Sequence, residues 1–322
     1  MNSVLRTFLF AAVSLLASVP ALAQYPTKPI HIVVPYPAGG GTDIVARMLA
    51  GPLREMLGKP VIVDNKPGAG GALGAAEVAR ATADGYTLLM TAGAFVISPS
   101  VLANAGYDPA KDFTGVSQVA IVPLIVLTRS EGPLNTFADL IALAKKDGEK
   151  VSFASFGNAT PSHLVGTAIQ LRGGIKMTHV PYKSGMQAMP DILSGVVTVG
   201  ILDAVSMTPF VKQGRLKALA VTGPKRLPAL ADTPTLVESG ISFDAVGWHG
   251  VFAPAAVPPV IVRRLNEAFN KAAARPEVRE RIVNGGSTPI EPPYTAEEWT
   301  KQYRREIGQW ADLVRAGGIK VE

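Results

Sequence analysis

The sequence contains no cysteine. Disulfides, thiolate metal sites, a cysteine nucleophile and a lipid-modified N-terminal cysteine are therefore excluded, and stability must come from the core alone. Long hydrophobic runs are also missing: after the first 23 residues no stretch reaches the roughly 18 uncharged apolar residues that a spanning helix needs. Positive charge never gathers into a patch. The net charge is +6, or +5 once Arg6 is set aside, but it lies in scattered pairs such as Lys145-Lys146, Arg263-Arg264 and Arg304-Arg305. Each pair suits a solvated helix face, so no nucleic-acid partner is expected and only a modest preference for anionic ligands remains. The motifs of common catalysts are absent too: there is no Gly-x-Ser-x-Gly, no Walker A sequence and no His-Glu-x-x-His. The histidines, His31, His163, His179 and His249, are isolated in sequence. Residues 68–73 approach a dinucleotide fingerprint, but Leu73 stands where the third glycine belongs. No catalytic residue, metal ligand or cofactor is assigned, and no internal repeat is visible.

What is present begins with a targeting segment. Residues 1–23 carry one charge, an apolar run over 8–16 and Ala21-Leu22-Ala23, the small-x-small pattern of a cleaved secretory signal. The expected mature chain starts at Gln24. With 322 residues in all, it is long enough for about two domains.

The strongest local signal lies at 33–43, Val-Val-Pro-Tyr-Pro-Ala-Gly-Gly-Gly-Thr-Asp. Residues 30–34 read as a buried strand and 42–57 as a helix, joined by a loop with almost no side chains. Pro35 and Pro37 restrict φ, while Gly39, Gly40 and Gly41 let a ligand approach the backbone. The free N–H groups and positive dipole end of the helix make an anion site, for a carboxylate or a phosphate equally. The loop has no Lys or Arg, so main-chain donors would hold the anion. An ordinary glycine-rich turn is the alternative. Gly51-Pro52 should kink the helix or end it early. A second turn at 64–71, Asp-Asn-Lys-Pro-Gly-Ala-Gly-Gly, repeats this chemistry after a strand at 61–63 and before a helix at 72–80. With a strand at 87–90, the rhythm predicts a parallel sheet whose carboxyl-end loops converge.

The apolar stretch 116–127, broken by Pro123, is long enough to cross into another domain, where a second strand-and-helix series begins. It has helices at 135–146 and 186–193, strands at 151–154, 176–181 and 196–202, and a small polar turn at 155–163 that supplies hydroxyls and an amide or simply caps a helix. The strand at 216–221 offers a return crossing. Two connections between two α/β lobes make a hinge with a cleft. The expected division is lobe 1 over 24–117, lobe 2 over 118–224 and lobe 1 again over 225–322. Thr295-Ala296-Glu297-Glu298 is a capping box for a final helix, and Trp299 and Trp310 read as packing residues. Asp43 and Asp203 could act as acid and base across the cleft, or each could orient a loop or accept a ligand hydrogen bond.

These motifs resemble the Bug family, the TctC-like extracytoplasmic solute receptors of tripartite tricarboxylate transporters. The resemblance rests on 33–43 and 63–71, on Asp-Gly-Tyr-Thr-Leu-Leu at 84–89 and on Gly-Asn-Ala-Thr-Pro-Ser-His-Leu at 157–164. His-Val-Pro-Tyr-Lys-Ser-Gly at 179–185 and Leu-Lys-Ala-Leu-Ala-Val at 216–221 complete the set, in family order and almost end to end. It implies a two-lobe periplasmic binding protein of type II, the Venus-flytrap α/β fold, that is not an enzyme. It further implies a small organic acid as ligand, the membrane permease subunits as partner, and a monomer. By position it implicates Tyr36, Pro37, Ala38, Gly39, Gly40, Thr42 and Asp43 in the first loop and Gly68, Ala69 and Gly70 in the second. The second lobe would add Ser155, Gly157, Asn158, Thr160, His163, Tyr182, Lys183 and Asp203. Two rival expectations are a periplasmic protein docking onto a sensor kinase, and a hydrolase or isomerase using Asp43, His163 and Asp203.

Overall fold

The computed structural model describes residues 25–102, 104–158, 160–223, 225–243 and 246–318. The expected signal segment lies outside the described residues. In chain order the first lobe begins β1 (Ile30–Val34), α1 (Gly41–Leu57), β2 (Val61–Asn65), α2 (Ala72–Ala79), β3 (Thr87–Ala92), α3 (Ala94–Ile97) and β4 (Phe113–Val122). The second follows as β5 (Leu124–Arg129), α4 (Phe137–Asp147), β6 (Ser152–Ser155), α5 (Pro161–Gly173), β7 (Thr178–Pro181), α6 (Gly185–Ser194), β8 (Val199–Asp203), α7 (Ala204–Lys212) and β9 (Leu216–Val221). The chain ends with β10 (Gly247–Pro254), α8 (Pro259–Ala273), α9 (Pro276–Asn284), β11 (Thr288–Pro289) and α10 (Ala296–Ala316).

Two sheets result, ordered β11-β4-β10-β3-β1-β2 and β7-β6-β8-β5-β9. The strand-helix-strand segments are parallel, as their rhythm predicts: β1 pairs with β2 and β3, and β6 with β7 and β8. The strands that carry the chain between lobes are antiparallel, so both sheets are mixed. β1 is buried except at His31, the pattern of a strand covered on both faces. In α1 the buried residues Val45, Ala46, Leu49, Leu53 and Leu57 recur at helical spacing and join Ile32, Leu88 and Phe269 in one core. The helix does not stop at Pro52. That residue lies on a half-exposed face, where the one carbonyl deprived of its N–H partner can meet water, and the helix runs on to Gly58 in the left-handed conformation.

The first crossing falls at Pro123, between β4 in one sheet and β5 in the other. The sequence division at 117/118 lies inside β4. β9 does not return the chain: it pairs with β5 at the edge of the second sheet. Residues 225–243 also stay there, since Val221 N–H donates to the Pro234 carbonyl (2.9 Å), Leu236 N–H donates to that of Val221 (2.9 Å), and Leu227 joins the second-lobe core. The return is made at Gly247, which pairs with Val122 beside the first crossing. A Cβ on Gly247 would stand 2.5 Å from the Val122 carbonyl oxygen, so only glycine lets the two crossings lie this close.

The final helix opens with the expected capping box, Thr295 and Glu298 each bonding the other's backbone N–H. Its buried Trp299 packs edge-on against Trp248, and Trp310 meets Phe243 on the segment held by the second lobe. Thr295→Ala should cost about 1 kcal/mol of unfolding free energy in urea titration; an unchanged midpoint would show that the cap is redundant.

Candidate functional site

The first loop is built by Asp43. Its carboxylate, on a residue 2% exposed, accepts from Gly39 N–H (2.9 Å), Arg47 Nε (2.9 Å to Oδ1) and Asn65 Nδ2 (3.0 Å). Burial alone would raise its pKa, but the bonds from Arg47, Gly39 and Asn65 outweigh it and hold the carboxyl below its ordinary value. Asp43 is thereby engaged within the loop and is not presented as an acid or base. Asn65 ties the two loops together: it also donates to the Tyr36 carbonyl (3.1 Å) and accepts from Arg47 (2.8 Å). Asn65→Ala should cost about 1–2 kcal/mol, read as a lower urea midpoint. No change would mean that the loops hold each other without it.

These ties decide which main-chain donors of the first loop remain free of protein partners. Gly39 N–H is taken by Asp43 and Gly40 N–H by the Pro37 carbonyl (3.3 Å), so neither is offered to a ligand. The N-cap Gly40 brings no side chain to α1, which leaves the N–H groups of Gly41, Thr42 and Asp43 as its uncapped first turn. Pro37, Ala38 and Gly39 are exposed, while Thr42 is buried. In the second loop Gly68, Ala69, Gly70 and Gly71 all have positive φ. For Ala69 (φ 47°) this is a strained conformation, of the kind that persists where surrounding structure enforces it. The Tyr36 hydroxyl bonds that of Thr91 (3.0 Å), and its ring packs on Gly71, so Tyr36 braces both loops from β3.

On the second lobe, Ser155 is fully buried, bonded to His179 Nε2 (2.6 Å) and to both backbone groups of Gly157. Thr160 caps α5 through His163 N–H and donates to the Gly157 carbonyl. The His163 ring lies 3.8 Å from that of His179 and nearly parallel to it. Burial lowers both pKa values, that of His179 to about 4 with the neighbouring His163 charge contributing. Two neutral stacked imidazoles thus replace the isolated histidines of the sequence. Tyr182 donates its hydroxyl to Asp191 (2.5 Å) within its own lobe; burial first, then Asp191, raises its pKa to about 12. Asn158 and Lys183 are exposed. Asp203 caps α7, accepting from Ser206 N–H (2.8 Å) and Oγ (2.6 Å), and burial raises its pKa.

The lobes meet at helix N-termini. A Cβ on Gly41 would lie 3.3 Å from Asp203 Oδ1, 3.6 Å from Val205 Cβ and 3.7 Å from His249 Cε1; one on Gly93 would lie 3.0 Å from Pro161. The starts of α1 and α7 therefore face each other, and the start of α5 lies against Gly93 before α3; positive dipole ends at α1 and α7 are of the kind that suit an anion. Gly41 was marked in sequence only as one of three glycines that open the loop, and Arg47, Asn65, Thr91, His179 and His249 were not singled out as site residues. Of the latter only Arg47 had a local signal, four residues after Asp43 on one helix face. A solvent-open groove between α1 and α9, with Arg47, Glu277, Glu280 and Arg281, mixes both charges. Among the described residues no group of three or more His, Asp or Glu could hold a metal, and no helix is long and apolar enough to cross a membrane.

Two α/β lobes joined by paired crossings, with the glycine-rich start of α1 set against the start of α7, have the fold of a two-lobe periplasmic binding protein. Residues 45–319 match the tripartite tricarboxylate transporter family receptor, TctC, and the chain belongs to that family. The fold is similar to that of the periplasmic binding protein BugD, with 36% identity, a TM-score of 0.85, and 92% of this chain and 100% of that one covered. A Rhodopseudomonas palustris protein with adipate is 29% identical with a TM-score of 0.85, over 92% of this chain and 99% of that one. MatC from Rhodopseudomonas palustris, with bound malate, is 29% identical with a TM-score of 0.81, over 90% and 100%.

Proposed function

We propose that this protein captures a small carboxylic acid in the periplasm, closes around it and delivers it to the membrane permease of a tripartite tricarboxylate transporter. The observation that carries this reading is the uncapped first turn of α1, set against α7 of the other lobe in a loop without Lys or Arg. Such donors hold a carboxylate by hydrogen bonds that both lobes complete, so the ligand favours the closed form. The adipate and malate bound by related proteins support the ligand class. No chemical step is assigned: Asp43 is engaged by Arg47 and Asn65, and His163 lies with His179 in the other lobe. Residues 1–23 are read as the export signal, which N-terminal sequencing of the exported protein would test by finding Gln24.

The binding test is a thermal-shift screen of refolded mature protein against mono-, di- and tricarboxylates, aromatic acids and acidic amino acids. An acid at 100 times its Kd should stabilise the fold by about 2.7 kcal/mol. Silence across the panel would overturn the carboxylate reading. Dependence of the acid's uptake on both this protein and the permease pair would test delivery.

A further inference from the structure

His249 is the one histidine on a strand that links the lobes. It lies on β10, opposite Ala92 of β3 and Ala120 of β4, and the β4 pairing shifts register between His249 and Gly250. Such an irregularity re-aims a side chain relative to a regular strand. The residue is 3% exposed, and its Nδ1 is buried without a hydrogen-bond partner among the described residues. A buried imidazole nitrogen without a partner is costly, so its persistence needs a reason.

The position supplies one. Cε1, which is bonded to both ring nitrogens, lies 3.7 Å from where a Gly41 side chain would begin, so the nitrogen-bearing edge faces the uncapped turn of α1. Asp203 Oδ1 approaches the same point from the second lobe at 3.3 Å. A buried polar side chain, a helix start with free N–H groups and a carboxylate of the opposite lobe thus converge on one small volume.

We propose that His249 is a specificity-determining residue, its imidazole edge forming the floor of the acid site and completing the hydrogen bonding of Nδ1 with the bound ligand. This rests on the carboxylate reading above. Burial keeps the ring neutral, its pKa held down to about 4, so it serves as a directional donor or acceptor and not as a counter-ion. That accords with a first loop which also lacks cationic side chains. A neutral floor selects among acids by where they place polar atoms, whereas a cation would attract any of them.

The test uses calorimetric titration of the mature protein with malate, succinate, adipate, aspartate and citrate, comparing wild type with His249→Leu and His249→Asn. Leucine fills similar volume without a polar atom. Asparagine places an amide group near the position of Nδ1. His249→Leu should bind the preferred acid at least tenfold more weakly and change the order of the acids, with the ligand-free melting temperature unchanged or raised. His249→Asn should recover most of the affinity. Equal affinity and order in wild type and His249→Leu would overturn the assignment while leaving the acid site standing. So would an equal loss in both variants accompanied by lowered ligand-free melting temperatures, the mark of a packing role. A wild-type protein that binds none of the five would overturn the assignment and count against the carboxylate reading; the broader thermal-shift panel then decides that reading separately.

Discussion

Gly41→Val is expected to lower ligand affinity at least about a hundredfold, some 2.7 kcal/mol, while the protein still folds. Gly41 is the first residue of α1 and its φ is not positive, so a side chain there meets no backbone strain. What it meets is the other lobe. Its Cβ would already stand 3.3 Å from Asp203 Oδ1 and 3.6 Å from Val205, and the two methyl groups of valine extend further into the volume assigned to the ligand. The lobes cannot close fully around that wedge, and the α1 N–H groups are shielded from an anion. Gly40→Val tests a different contact, because a Cβ there would press on the Pro37 carbonyl oxygen at 3.3 Å and act through the shape of the loop. Calorimetric titration of Gly41→Val against wild type, with melting curves for both, reads the result. Wild-type affinity in the variant would place the ligand elsewhere.

The contribution of His249 to stability should fall as the pH is lowered from 6.5. Burial lowers the His249 pKa from 6.5 to about 4. Below pH 6.5 the unfolded chain binds a proton at this residue that the native protein does not, so stability falls with pH until about pH 4 and then levels for this group. The direction follows from the depressed native value; above pH 7 neither state is charged and the contribution is constant. At about 1.36 kcal/mol per unit, the loss between pH 6.5 and pH 4 is on the order of 3 kcal/mol. His179, also held near 4, acts in the same direction. Asp203 and Glu306, both raised by burial, oppose it because their native carboxyls take up protons earlier. The contribution of His249 is therefore the difference in pH slope between wild type and His249→Leu, from urea titrations at pH 7 and pH 4.5. The leucine variant should lose less stability over that interval, and parallel slopes would refute the prediction.

Much of the architecture was legible because it depends on neighbours in sequence. The apolar run at 30–34, the helical spacing of Leu49, Leu53 and Leu57, and the Thr295–Glu298 box each specify a local structure. Pro123 interrupts an apolar run that is too long for one strand, and the chain changes sheets there. Where expectation and structure part, a tertiary contact intervenes. Pro52 is accommodated because α1 is held by its buried face, and residues 225–243 stay with the second lobe because their hydrogen bonds go to β9.

The candidate site divides along the same line. That the first loop is cation-free, glycine-rich and placed before a helix is written in residues 33–43, and the order of such motifs identifies the family. Which N–H groups remain available is not written there. Asp43 takes that of Gly39 only because Arg47 and Asn65, the latter from another strand, hold the carboxylate in place. The stacking of His163 on His179 and the approach of His249 and Asp203 to Gly41 join residues far apart in the chain. The sequence alone determined most strands and the longer helices, the cation-free first loop and the family. Only the tertiary structure decided which polar groups face the cleft, because a hydrogen bond is allotted by geometry and burial that distant segments create together.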